Sequence, residues 1–132
     1  MIPKFRAWKK AGKELGRVGQ ITFELDGSVS CVLFKGKFLD FNVPINEIVL
    51  MQSTGLKDKN GKEIFEGDVV RQVRTQPTTE NETITGVVTM IEGTWLIMND
   101  CEQLASKLWS ETDENEIIGN IYENPELLED KE

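Results

Sequence analysis

The chain has 132 residues, of which 39% are hydrophobic and 29% charged, and this is enough to form one domain with its own core. With only 11 glycines and 4 prolines, the composition is typical of neither a disordered nor a low-complexity chain. The net charge of −8 and the pI near 4.7 differ from the basic balance of most nucleic-acid-binding domains.

Alternation of apolar and polar residues predicts strands throughout the first part of the chain. The stretch KFRAW at 4–8 indicates a first strand that ends at Trp8. QITFEL at 20–25 and SVSCVLF at 28–34 flank Asp26-Gly27, a dipeptide that favours a tight hairpin turn. Two further strand-like stretches follow on either side of Pro44, namely KFLDFNV at 37–43 and EIVLMQS at 47–53.

The charged stretch LKDKNGKEIFEGDVV at 56–70 predicts a turn rather than a ligand loop. Asn60-Gly61 is the dipeptide preferred by a type I′ turn, because both central positions need positive φ. A calcium loop starting at Asp58 would need glycine at its sixth position, but Gly61 is at the fourth. A phosphate loop needs four residues between its glycines, whereas Gly55 and Gly61 have five.

The last part of the chain predicts more strands and two short helices. Polar residues 74–83 indicate a mobile loop or the tip of a long hairpin, and ITGVVTMI and TWLIM indicate strands, with Trp95 as a core residue. Asp100 is predicted to cap a short helix that buries Leu104 and Leu108. After the strand EIIGNIY, Asn124 is predicted to cap a helix at 125–132. We therefore predict a mainly β, small barrel-like antiparallel sheet (SH3-like or related), with one or two short helices, in a single domain over 1–132.

The charges are distributed unevenly along the chain. Residues 1–79 carry 13 Lys/Arg against 9 Asp/Glu, whereas residues 80–132 carry 2 against 14. Such separation suggests that the basic and acidic ends meet, within one subunit or between subunits, and a homo-oligomer is the expectation. The alternative is that both ends are only solvated, since exposed pairs contribute about 0–1 kcal/mol each.

The chain contains no histidine, which removes the commonest general base and the commonest metal ligand. The carboxylate pair Glu66 and Asp68 has no apolar pocket wall nearby in the sequence, so we expect no catalytic, metal or cofactor site. No stretch approaches the roughly 20 apolar residues of a membrane helix, and the first residues lack the apolar segment of a signal peptide. Cys31 and Cys101 are therefore expected to be reduced thiols in a cytoplasmic protein.

Three segments together resemble the YopX-like proteins of bacterial prophages and phages. They are MIPKFRAW at 1–8, LMQSTGLKDKNGKEIFEGDVV at 50–70 and EIIGNIYENPELLE at 116–129. The resemblance implies a mainly β, barrel-like fold and a phage or prophage origin in a bacterial host cell. It implies no activity and no site residues.

The resulting functional expectation is a non-enzymatic phage accessory protein, a β module that binds another macromolecule or itself. One alternative is nucleic-acid binding through the basic N-terminal segment, with a surface made of Lys4, Phe5, Arg6, Trp8, Lys9 and Lys10. A second alternative is that the acidic tail mimics nucleic acid and binds a basic host or phage protein.

Overall fold

The computed structural model describes residues 4–74, 83–99, 104–109 and 113–128. Within them the chain is mainly β and antiparallel, as predicted, but its strands form two open sheets rather than one barrel-like sheet. The strands are β1 (Phe5–Lys9), β2 (Glu14–Phe23), β3 (Val29–Lys35), β4 (Asp40–Pro44), β5 (Ile48–Lys57), β6 (Glu63–Phe65), β7 (Asp68–Arg74), β8 (Thr83–Ile91), β9 (Thr94–Asn99), β10 (Leu104–Lys107) and β11 (Asp113–Asn120). Two 3-10 turns lie at Ile45–Glu47 and Pro125–Leu128. The chain, predicted as one domain, divides into two compact units, residues 1–53 and 54–132.

The first unit is a sheet with the strand order β4-β3-β2-β1-β5. Its core consists of apolar residues from alternating strand positions: Ala7, Val32, Phe34, Val43 and Ile48. Strand β2 is bulged at Gly19, where the pairing with β3 shifts register. A Cβ at Gly19 would lie 2.6 Å from Cε of Lys35, so the glycine leaves the space in which the lysine side chain lies. The sheet is open, with β4 at its edge, and does not close into a barrel.

The second unit contains the end of β5 and the strands that follow it. Thr54 Oγ1 on β5 donates a hydrogen bond of 2.8 Å to the carbonyl oxygen of Ile64 on β6. The other strands pair in the order β10-β9-β8-β7-β11, which is also an open sheet. The buried core is Ile64, Val70, Val88, Ile97 and Leu108, and Trp95 packs half-buried against it as predicted.

A buried polar network connects three strands of the second unit. Gln72 on β7 is fully buried, and its Nε2 donates hydrogen bonds of 3.0 Å to Asn115 Oδ1 and to the Lys107 carbonyl oxygen. Ser106 Oγ donates to Gln72 Oε1 at 2.7 Å. Because burying unpaired polar atoms is costly, this network fixes how β10 and β11 sit against β7.

The Asn60-Gly61 turn is not type I′, and this prediction was wrong. Gly61 has φ of +84°, but Asn60 does not have the positive φ that type I′ requires. The loop is a three-residue connection, in which Gly61 N–H donates to the Asp58 carbonyl oxygen at 3.0 Å and Asp58 N–H to that of Lys62 at 2.8 Å. The Asp58 side chain accepts the N–H of Asn60 at 2.9 Å, which fixes that residue within the turn. The type I′ geometry occurs instead at Glu92-Gly93, with φ of +49° and +79°.

Neither predicted helix forms as an α-helix. The segment expected to follow an Asp100 cap contains the strand β10, which pairs with β9 from Leu104↔Asn99 to Lys107↔Leu96. A helix this short is marginal by itself, whereas pairing with the open edge of β9 satisfies the backbone. As far as residue 128, where the described part of the C-terminal segment ends, the chain forms the 3-10 turn Pro125–Leu128, and Asn124 Oδ1 accepts from the Asn120 N–H (3.3 Å) instead of capping a helix.

Some predictions fall on residues outside the described part of the chain. In the predicted loop at 74–83, Arg74 ends β7 and Thr83 begins β8, and residues 75–82 are not described. Cys101 and residues 129–132 also lie outside, while Cys31 is a half-buried free thiol. No helix among the described residues is long and apolar enough to cross a membrane.

Candidate binding surface

The residues predicted as a binding surface lie on and beside β1, which pairs with β2 on one side and β5 on the other. Side chains along a strand alternate between the two faces of its sheet, so these residues do not share one face. Lys4 and Lys10 are exposed, Phe5, Arg6 and Lys9 are half-buried, and Trp8 is only 8% exposed. Trp8 is therefore a packing residue in this structure rather than a surface ring on which a ligand can stack.

Lys9 contacts an aromatic residue on another strand of the first unit. Its Nζ lies 4.6 Å from the ring centroid of Phe41 on β4. Phe41 in turn packs against the buried ring of Phe34, with centroids 5.9 Å apart and planes tilted by 53°. Strands β1 and β4 are separated by β2 and β3, so the sheet must curl strongly for Lys9 to reach Phe41. The ammonium group over the ring makes a cation–π contact worth about 0.5–1 kcal/mol at a surface.

The same end of the first unit brings two turns together. The backbone N–H of Lys37, in the β3–β4 turn, donates a hydrogen bond of 2.8 Å to Oε2 of Glu14, at the start of β2. Phe38 and Leu39 follow in that turn and are 88% and 73% exposed, with the Lys37 Nζ 5.7 Å from the Phe38 ring centroid. We call this surface the lysine–phenylalanine end; it comprises Lys9, Lys10, Lys13, Lys37, Phe38, Leu39 and Phe41.

Two cations lie side by side next to this end. Arg17 on β2 and Lys35 on β3 are direct cross-strand partners, and both are exposed. Within the described part of the chain, neither makes an ion pair. Directly opposed like charges destabilise a sheet, so the pair is unfavourable for the first unit taken alone.

The net charge of the chain is divided unequally between the two units. Residues 1–53 carry 8 Lys/Arg against 5 Asp/Glu, and residues 54–132 carry 7 against 18. The first unit is therefore basic although the whole chain is acidic.

In the second unit, the carboxylate of Asp58 holds a turn against a strand. Its Oδ1 accepts the N–H groups of Asn60 and Lys62 at 2.9 Å each, and its Oδ2 accepts that of Ile117 on β11 at 3.1 Å. Burial raises the pKa of Asp58, but hydrogen bonds from Ile117, Lys62 and Asn60, together with the Lys62 charge, outweigh it and lower the pKa. Both carboxylate oxygens are thus used by the fold.

The carboxylate pair Glu66 and Asp68 occupies the turn between β6 and β7. Asp68 is buried, and its Oδ2 accepts the N–H of Phe65 at 2.8 Å, which closes this turn. Among the residues that the structure describes, no three Cys, Asp or Glu side chains lie together in a way that would hold a metal ion. The Asp68 carboxylate is therefore used by the fold.

Sequence reasoning missed Lys37, Phe38, Leu39 and Phe41 as surface residues. Their alternation predicted one strand over 37–43, whereas β4 begins only at Asp40. Gly36, which ends the preceding strand, was the available signal that Phe38 and Leu39 belong to a turn. Apolar side chains in a turn such as this stay exposed, whereas those on the inner face of a strand pack into the core.

Comparison with known proteins places the whole chain in one family. The model of the YopX protein family matches residues 4–129. The crystal structure of protein EF1440 from Enterococcus faecalis is 31% identical in sequence, with a TM-score of 0.68 and coverage of 98% of this chain and 99% of that one. Protein yopX from Bacillus subtilis is 21% identical and shares the fold, with a TM-score of 0.63 and coverage of 96% and 98%. A comparison with curated proteins gives no significant match. The chain therefore belongs to the YopX protein family.

Proposed function

We propose that the chain is a non-enzymatic phage or prophage accessory module in the host cytoplasm, and that its lysine–phenylalanine end holds a macromolecular partner. The observation that carries this proposal is the exposure of Phe38 (88%) and Leu39 (73%) in one turn, with the Lys37 Nζ 5.7 Å from the Phe38 ring centroid. Exposed apolar side chains rimmed by charges are typical of interaction surfaces.

The energetics of this surface are those of a small binding site. Full burial of a phenylalanine or leucine side chain contributes about 1.5–3 kcal/mol. The lysines that contact the aromatic rings, Lys37 at Phe38 and Lys9 at Phe41, would set orientation and association rate more than affinity. The hydrogen bond from Lys37 to Glu14 holds the two turns together before binding, which reduces the entropy lost on association.

The chemistry of the chain supports a non-enzymatic role. There is no histidine, and the carboxylates of Asp58 and Asp68 accept backbone N–H groups. The half-buried free thiol of Cys31 is compatible with a reducing compartment.

Capture from host cells with matched variants tests the proposed surface. Phe38→Ser/Leu39→Ser should lose the proteins or nucleic acids that co-purify with the wild type, while the fold, measured by circular dichroism, stays intact. Leu25→Ser is the matched control, since Leu25 is a fully exposed apolar residue in the β2–β3 turn, at the opposite end of the same sheet. Equal capture by wild type and both variants would contradict the proposal.

A second candidate function is self-association, which the charge division between the two units favours. In a head-to-tail contact, the basic first unit of one copy would meet the acidic second unit of the next, and such contacts close into rings when their rotation permits. Deletion of residues 125–132 should then lower the oligomer mass in sedimentation, and moderate salt should weaken association. A monomer at all protein concentrations in low salt would exclude this candidate.

A further inference from the structure

We propose that the partner of the lysine–phenylalanine end is a single-stranded polynucleotide, bound by Arg17, Lys35 and Lys37 along its phosphates and by Phe38 against one base. This inference rests on the proposed function and names the chemistry of its partner. It differs from the predicted surface at 4–10, because the side chains that carry it come from β2, β3 and the β3–β4 turn.

The cations form a track on the β2–β3 ribbon. Arg17 and Lys35 are paired across adjacent strands, which places their Cα atoms about 5 Å apart. Lys37 comes two residues after Lys35, in the β3–β4 turn at the end of this ribbon. Uncompensated like charges at this spacing repel, and a ligand with repeating negative charge removes the repulsion.

The aromatic residue next to this track has a free surface. Phe38 is 88% exposed, and the Lys37 Nζ stands 5.7 Å from its ring centroid. Proteins that bind single strands combine cations along the backbone with aromatic rings on which bases stack. A duplex keeps its bases stacked on each other, so the Phe38 ring favours an unpaired strand. An acidic polypeptide carries repeated charge but few planar rings, so it would not depend on the aromaticity of Phe38.

The net negative charge of the whole chain argues against a polynucleotide partner, but this charge is not spread evenly along the chain. The excess of Asp and Glu lies in residues 54–132, while residues 1–53 carry 8 Lys/Arg against 5 Asp/Glu. The track therefore belongs to the unit that has a basic balance.

Fluorescence anisotropy with a 5′-labelled 20-mer of thymidylate tests this inference on the full chain. Wild type should bind at low salt, and binding should weaken steeply as salt is raised. Arg17→Glu/Lys35→Glu should weaken binding at least tenfold, while Lys57→Glu/Lys62→Glu, the same charge change at two exposed residues of the second unit, should leave it within twofold. Phe38→Leu should weaken binding at least fivefold and Phe38→Trp should retain it, because both keep the apolar area but only tryptophan keeps a ring to stack on.

Three results would overturn the inference. They are absence of binding at low salt, binding that is unchanged in both Arg17→Glu/Lys35→Glu and Phe38→Leu, and equal affinity for a polyglutamate chain of the same length. If the oligonucleotide fails to bind but capture of a protein still depends on Phe38 and Leu39, the nucleic-acid inference falls and the proposed binding function stands. If the double charge variant does not fold, Phe38→Leu against Phe38→Trp decides the question alone.

Discussion

Asp58 connects the β5–β6 turn to β11, and its replacement tests how the second unit is held together. The carboxylate accepts three backbone N–H groups, two from its own turn and one from Ile117, 59 positions along the chain. It is only 7% exposed. Asp58→Ala leaves all three N–H groups without their acceptor.

The expected loss follows from which N–H groups can be rehydrated. Those of Asn60 and Lys62 belong to exposed residues, so water replaces the carboxylate there at modest cost. The N–H of Ile117 lies in a half-buried strand, and an unsatisfied group of this kind costs about 1–3 kcal/mol. Together with the lost charge-assisted bonds, Asp58→Ala should lower the free energy of unfolding by about 2–4 kcal/mol. Asp58→Asn should lose less, because its amide oxygen still accepts from the turn.

The contribution of Asp58 to the free energy of unfolding decreases at acidic pH. The folded pKa of Asp58 is lowered, because hydrogen bonds to the carboxylate outweigh burial. Its contribution is therefore fully present above the unfolded value, near pH 4, and is lost as the pH falls through the folded pKa below that. Urea unfolding of wild type and Asp58→Ala should give a constant difference from pH 5 to 8 and a shrinking one below pH 4.

The control is Asp26→Ala, in a loop of the same geometry. The Asp26 carboxylate is exposed, and it accepts hydrogen bonds from the backbone N–H and the hydroxyl of Ser28. It should be less destabilising than Asp58→Ala. Equal effects of the two substitutions, or a difference from wild type below about 0.5 kcal/mol for Asp58→Ala at pH 7, would refute the reasoning from buried N–H groups.

Three further predictions concern single residues. Gly61→Val should lower the free energy of unfolding by about 1–3 kcal/mol in urea titration. No atom lies within 4 Å of the new Cβ, so the loss comes from the backbone φ of +84°, and Gly61→Asn should lose less. Stability of Gly61→Val equal to wild type would contradict this. Gln72→Leu should lower the free energy of unfolding by about 2–3 kcal/mol in the same assay and speed amide exchange in β10, since Asn115 Oδ1 and the Lys107 carbonyl oxygen lose their donor; unchanged exchange would show that the network is not needed. Arg17→Glu should raise the free energy of unfolding of the unliganded protein by about 0.2–1 kcal/mol, because it replaces a like-charge pair with Lys35 by an opposite-charge pair. A lower melting temperature would show that repulsion between Arg17 and Lys35 does not destabilise the wild type.

Local sequence patterns determined the strands and the hairpins that join neighbours. QITFEL and SVSCVLF alternate with period two and flank Asp26-Gly27, and the structure pairs them as β2 and β3. Such signals act over about ten residues, where the side-chain alternation and the turn residues are read directly from the chain. The position of a glycine at positive φ was also correct for Gly61, although the turn type was not.

Only the tertiary structure decided the features that depend on distant residues. Leu104 and Leu108 have helical spacing, yet the open edge of β9 converts the segment to a strand. The Lys9–Phe41 contact joins residues on β1 and β4, and Asp58 meets Ile117 across 59 positions. Phe38 and Leu39 are exposed because the β3–β4 turn extends to Leu39, whereas the alternation predicted that both residues belong to a strand. Strand order and sheet curvature set these contacts, and both result from pairing between segments that no local pattern relates.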